Sequence, residues 1–209
     1  MQVIKDVQPD LGLSPAEEAR RAQIIAATMA TMAELGYRRT SYARIKERAG
    51  LSSTRLIGYH FGTKAALIQA VVTTAMSIRD RYLEERAGGT TDRAGMLRAL
   101  IETEVTFVRD HPECVRVLRE VAANADDADG WPVAGPLLRG FRIGRIERLL
   151  IQGQREGAFG EFAPDVAART IAQSIDGAVQ AHDEDPSLDL DTYGRQLADF
   201  FEQAVAAKR

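Results

Sequence analysis

Arg55 is the side chain best suited to a specific chemical task. Its planar guanidinium can donate two parallel hydrogen bonds to O6 and N7 of a guanine, a pairing worth about 1–3 kcal/mol of discrimination between bases. It follows Ser52, Ser53 and Thr54, whose short hydroxyl side chains suit the start of a helix. Arg44 and Arg48 lie upstream, after Thr40 and Ser41. A helix capped by either hydroxyl would offer free N–H groups and a positive dipole end to a phosphate. The chemistry indicated is recognition of a polyanion. Nothing points to bond making: His60, His111 and His182 stand without partner motifs, and no G-x-S-x-G, HExxH or phosphate-cradling glycine loop occurs. No second His, Cys or acid is spaced to hold a metal with His60. Neither cofactor nor metal is expected, and the chain does not read as an enzyme.

These side chains need a frame. Tyr42, Ile45 and Ala49 fall on one face of a short helix from about Tyr42 to Ala49, with Arg44, Lys46, Glu47 and Arg48 elsewhere. Gly50 then ends it, and Ser52 or Ser53 caps a second helix running from about Thr54 to His60. Helix, tight turn and short second helix make a helix-turn-helix, in which the first residues of the second helix enter the DNA major groove. Those residues are Ser53, Thr54 and Arg55, while Leu56 and Ile57 are expected to face inward. Upstream, Ser14, Pro15 and Glu17 mark the start of a longer helix that runs to about Leu35 and ends at Gly36. Ile24, Ile25, Thr28, Met29 and Met32 form its apolar stripe, and the Met pair reads as gap-filling core.

The order Ala49-Gly50-Leu51-Ser52-Ser53, Thr54-Arg55-Leu56-Ile57-Gly58, Tyr59-His60-Phe61, Gly62-Thr63-Lys64, preceded by Gly36-Tyr37 and Thr40-Ser41, resembles the DNA-binding domain of the TetR family of bacterial transcriptional regulators. The likeness covers about the first third of the chain. One departure is an extra residue between Gly50 and Phe61 relative to the commonest family pattern, which leaves open the cap residue and the base-contact register. The resemblance implies DNA contacts from Thr40, Ser41, Tyr42, Arg44, Ser52, Ser53, Thr54 and Arg55. It further implies that Tyr59 and His60 touch phosphates or base edges and that Lys64 binds a phosphate. A structural role for His60 is a serious competitor.

Beyond Lys64 the chain reads as helical throughout, giving an all-α fold of about nine helices. Leu67, Val71, Ala75, Ile78 and Tyr82 define one helix, Gly88 to Thr91 break it, and His111-Pro112 stops the next. Residues 1–15 read as a flexible arm, 16–64 as the helix-turn-helix domain, and 65–209 as a regulatory and dimerisation domain. The resemblance implies that the last two helices, Val166–His182 and Leu190–Ala206, bundle with those of a second copy through Ala167, Ile171, Ile175, Ala178, Leu197, Phe200 and Ala204. It also implies a pocket for a small-molecule inducer, for which Glu104, Phe107, Trp131, Phe141 and Arg142 are the candidate lining. Each of these residue types is more often core than ligand contact, and Trp131 reads equally as a surface lid or a core plug.

Charge agrees with such a division. Residues 16–64 hold nine Lys or Arg against four Glu, a local charge of +5 in a chain of net −3. That asymmetry suggests a polyanion-binding module joined to a module of different purpose. No apolar run suits a bilayer or a signal peptide, and Cys114 is the single cysteine, so a cytoplasmic protein is expected. Because one helix-turn-helix reads only a few base pairs, it is expected to act as a homodimer on double-stranded operator DNA. Cys114 itself reads as a small buried apolar residue. The competing functions are a DNA-binding regulator without a small-molecule ligand and, further off, a helical enzyme.

Overall fold

The computed structural model describes residue 4 and residues 12–87, 89–124 and 134–207. Trp131 and most of the N-terminal arm lie outside the described residues. Among the described residues there are nine α-helices: α1 Pro15–Leu35, α2 Tyr42–Arg48, α3 Arg55–Phe61, α4 Lys64–Ala87, α5 Arg93–Asp110, α6 Pro112–Ala123, α7 Ala134–Arg155, α8 Pro164–Glu184 and α9 Leu190–Val205. The fold is all-α, as the periodicities predict. One isolated antiparallel bridge joins Phe159 and Ala206, and no single helix among the described residues is long and apolar enough to cross a membrane.

The helix ends follow local chemistry. Ser14 and Glu17 form a reciprocal capping box at the start of α1, with Pro15 at the first helical position. Asp92 accepts from the Gly95 N–H at 2.8 Å to cap α5, which stops at His111 because Pro112 can neither donate to the helix nor tolerate an α-helical predecessor.

The chain divides into two compact units, Met1–Arg81 with Pro112–Leu138, and Tyr82–His111 with Arg139–Arg209. The core of the first is the buried stripe of α1, including Ile24, Ile25, Met29 and Met32, closed over by Tyr37, Ile45, Leu51, Ile57 and Phe61. Helix α6 belongs here by specific contacts. The Glu120 carboxylate accepts from the Tyr37 N–H at 2.7 Å, and Arg116 donates to the Ala33 carbonyl at 3.1 Å. A Cβ on Gly36, which has φ +80°, would lie 3.1 Å from Glu120 Oε2.

In the second unit α5 and α9 pack closely. Arg98 donates to Glu202 at 2.9 Å and to Asp199 at 2.5 Å, and further along α5 Arg109 donates to Asp191 at 2.5 Å. Rising numbers on α5 meet falling numbers on α9, so the two helices are antiparallel. At their crossing Gly194 lets the backbones approach: a Cβ there would lie 3.3 Å from the Glu102 Cα. Helices α7 and α8 are joined by Arg142, which donates to Asp176 at 2.6 Å.

Cys114, on α6, is 5% exposed. Burial, with Glu113 beside it, pushes its thiol up to about 12. The reactive thiolate is therefore scarce at neutral pH, and native protein is expected to react with an aromatic disulfide reagent about a thousandfold more slowly than the chain unfolded in guanidinium. Equal rates in the two states would put the thiol in solvent.

Candidate nucleic-acid interface

Helix α2 begins at Ser41, whose Oγ accepts from the Arg44 N–H at 3.4 Å. Of the two hydroxyls that could cap it, Ser41 does so. Thr40 is 3% exposed and donates to the Gly36 carbonyl at 2.9 Å, so its hydroxyl is turned inward, away from solvent. At the other end Gly50 takes φ +61°. The Leu51 N–H reaches back to the Lys46 carbonyl at 2.9 Å and the Gly50 N–H to Glu47 at 3.1 Å. These paired bonds, with Leu51 inserted into the core, close α2 and fix the turn.

Helix α3 starts with Thr54 in α-helical conformation and no side-chain cap bond. Ser53 Oγ accepts from the Arg55 N–H at 3.1 Å, which makes Ser53 the hydroxyl that serves this end. Ile57 is wholly buried and Phe61 nearly so, Leu56 is half-buried, and the opposite side of α3 presents Arg55 and Tyr59 to solvent, with Ser52 exposed in the turn just ahead of the helix. Arg55 and Tyr59 stand four positions apart, the spacing of one helical face. Tyr59 is 75% exposed, an unusual state for so large a ring, and packs edge-on against His60. His60 is half-buried; burial first and the neighbouring Arg21 charge second hold its imidazole below the usual histidine range. Both causes disfavour its charged form.

The remaining candidates are scattered by environment. Ser41 and Arg44 are exposed, and Arg44 also donates to the Arg39 carbonyl at 2.8 Å. Tyr42, Ser53 and Thr54 are half-buried. Lys64, at the first position of α4, holds its ammonium 5.3 Å from the Tyr37 ring centre. Arg48 is engaged with Glu34. In the second unit Glu104 and Phe107 are buried one turn apart on α5, with Phe107 stacked on His111 and edge-on to Tyr82. Phe141 is 57% exposed. Of the apolar residues expected against a partner, Ile171, Ile175 and Ala178 lie in the chain's own core, Ala167 and Leu197 are half-buried, and Phe200 and Ala204 are exposed. Among the described residues no three His, Cys, Asp or Glu side chains converge as a metal site.

Two residues of α1 were not legible as part of this surface. Arg21 donates to the His60 carbonyl and lies over the Phe61 ring, 4.2 Å from its centre. Gln23 donates to the Ala49 carbonyl at 2.6 Å. Periodicity marks both as positions off the apolar stripe, which says nothing about what they reach.

Residues 24–71 match the family described as bacterial regulatory proteins, tetR family. The HTH-type transcriptional regulator BetI of Burkholderia mallei is 33% identical over 187 residues, which cover 81% of this chain and 83% of that one. BetI 1 of Chromohalobacter salexigens is 33% identical over 95 residues, 45% of each chain. The match thus spans less than half the length of that relative, and likewise 46% of BetI from Stenotrophomonas maltophilia. A TetR family transcription regulator from Marinobacter aquaeolei shares the fold with a TM-score of 0.75 at 18% identity, over 94% of this chain and all of that one. NalD, named as the secondary repressor of the MexAB-OprM multidrug efflux pump in Pseudomonas aeruginosa, does so with a TM-score of 0.72 at 21% identity, over 92% of this chain and 100% of its own. At those identities the solved structures speak for the fold alone. The helix-turn-helix geometry and the long alignment to the Burkholderia regulator carry the family: the chain belongs to the TetR family of bacterial transcriptional regulators.

Proposed function

We propose that this regulator is a cytoplasmic homodimeric repressor that reads double-stranded operator DNA with α3 of each copy and is released by a small-molecule inducer. The observation that carries the reading is the uncovered set Ser52, Arg55 and Tyr59 on a module of local charge +5. Backbone-directed charge would hold the duplex and Arg55 would read a guanine, with Ser41 and Arg44 on flanking phosphates. One seven-residue helix spans few base pairs, so two copies on half-sites about 34 Å or a multiple apart are required for useful specificity.

Large apolar side chains left in water support the pairing: Phe200 is 64% and Val166 59% exposed, on the last two helices. Leu197 and Ala204 extend that surface on α9. Ile171, Ile175 and Ala178 support it from the inner side of α8. For the inducer, the buried Glu104 carboxylate would meet a hydrogen-bond donor on the ligand and Phe107 its apolar body, with Phe141 and Arg142 of the same unit as further lining. The ligand must bind the conformation that does not fit DNA more tightly than the one that does. NalD, of the same fold, is named a repressor. A regulator without a small-molecule ligand is the second reading, favoured by the closed packing of Phe107 on Tyr82 and His111.

Fluorescence anisotropy with DNA flanking the protein's own gene, against a scrambled duplex at two salt concentrations, tests the reading. Preference for the native duplex, saturation at two chains per site and weakening by salt are expected. Arg55→Ala should lower affinity for the native duplex roughly 10- to 100-fold and leave the scrambled duplex far less affected. Absence of binding to any duplex would sink it.

A further inference from the structure

We propose that Arg21 and Gln23 of α1 are positioning residues that set the angle between α2 and α3, and so the presentation of the DNA-reading face, by clamping the C-terminal carbonyls of both helices. The inference rests on the DNA-reading role proposed above and adds to it the parts that aim the reader.

Helices α2 and α3 have seven residues each. Helices that short are marginal alone, and the last carbonyls of each lack partners within the helix. Both ends are served from one source. Gln23 donates its side-chain amide to the Ala49 carbonyl at the end of α2, and Arg21 donates its guanidinium to the His60 carbonyl in the last turn of α3. Residues two apart on a helix project to different flanks, so this pair can reach two different helices from one rigid rod.

The arginine is a poor choice for stability alone. Burial pulls its pKa down, its Nε is buried without a hydrogen-bond partner, and no carboxylate pairs with it among the described residues. What it has instead is the negative end of the α3 dipole and the face of Phe61, the same residue that anchors α3 in the core. A charged, planar, five-donor group seated on a ring fixes direction as well as distance.

The bland alternative is that Arg21, one of nine basic residues in the module, simply touches a phosphate. Salt separates the two. In the full-length protein, Arg21→Met, Arg21→Lys and Gln23→Met would be titrated against an operator duplex selected from a random-sequence pool and against a scrambled duplex, over a range of salt. Failure of the wild type to select any sequence would refute the DNA-reading role itself and is seen before any variant is made. Given selection, Arg21→Met and Gln23→Met should each lose about tenfold on the operator, with scrambled-duplex affinity and salt slope unchanged, and Arg21→Lys should recover part of the loss. Amide exchange across residues 53–62 should quicken in both Met variants while α9 stays as in the wild type. Equal losses on both duplexes with a slope shallower by about 0.9 would make Arg21 a phosphate contact and overturn the clamp. Wild-type operator affinity in the folded variants would overturn it too. If Arg21→Met does not fold, Gln23→Met and Arg21→Lys decide by the same criteria.

Discussion

Ile57→Ala should cost the N-terminal unit about 3 kcal/mol and remove sequence-specific DNA binding well below the temperature at which the rest of the chain melts. Ile57 is wholly buried, one turn ahead of Phe61, and together they are the inward side of α3. A two-turn helix does not persist on its own hydrogen bonds. Truncating its central anchor leaves a cavity in the core of the first unit, which the short helix can fill only by shifting and so misaiming Arg55. Denaturant unfolding and operator titration measure the two effects separately. A stability loss under about 1 kcal/mol would mean that the hydrophobic seat is secondary and that α3 is held mainly at its ends.

Gly194→Leu should lower the thermal midpoint of the second unit by about 10 °C, corresponding to roughly 3 kcal/mol. Gly194 is buried where α9 crosses α5, and an added Cβ would stand 3.3 Å from the Glu102 Cα and 3.5 Å from the Val105 Cβ. The first of these is backbone, which cannot swing aside. A leucine forces the helices apart and stretches the ion pairs that Arg98 makes with Asp199 and Glu202. Calorimetry of the variant, beside Gly144→Ala as a control whose Cβ meets only the flexible end of Arg148, gives the comparison. Equal midpoints for the two would show that the crossing has slack.

The helices themselves were legible because their signals are local. Ser14-Pro15-Glu17, Gly36, Gly50 and His111-Pro112 act on neighbours within one turn, and each falls at an observed helix end. Boundaries moved by a residue or two where two signals competed: α8 starts at Pro164 and not Val166, since proline is favoured in the first turn. The exposed side of the helix-turn-helix was legible in the same measure. Exposure of Ser52, Arg55 and Tyr59 follows from the inward pull of Ile57 and Phe61, whereas Thr40 and Ser41 look alike until the Gly36 carbonyl claims one of them. What remained hidden is long in sequence. Glu120 reaches Tyr37 across 83 residues, Arg21 reaches His60 across 39, and no periodicity records either. An apolar stripe likewise reports that a face is covered without saying by what, and Ile171 and Ile175 are buried within the chain itself.

Helix α3 is fastened through a main-chain carbonyl and two inward side chains, and none of these depends on the identity of the residues at 52, 55 and 59. Sequence preference and architecture are thereby uncoupled. The outer positions can be exchanged among polar and aromatic types without disturbing the frame, so under the proposed reading a lineage carrying this scaffold would acquire a new binding site in the genome by a handful of surface changes while the second unit stays as it is.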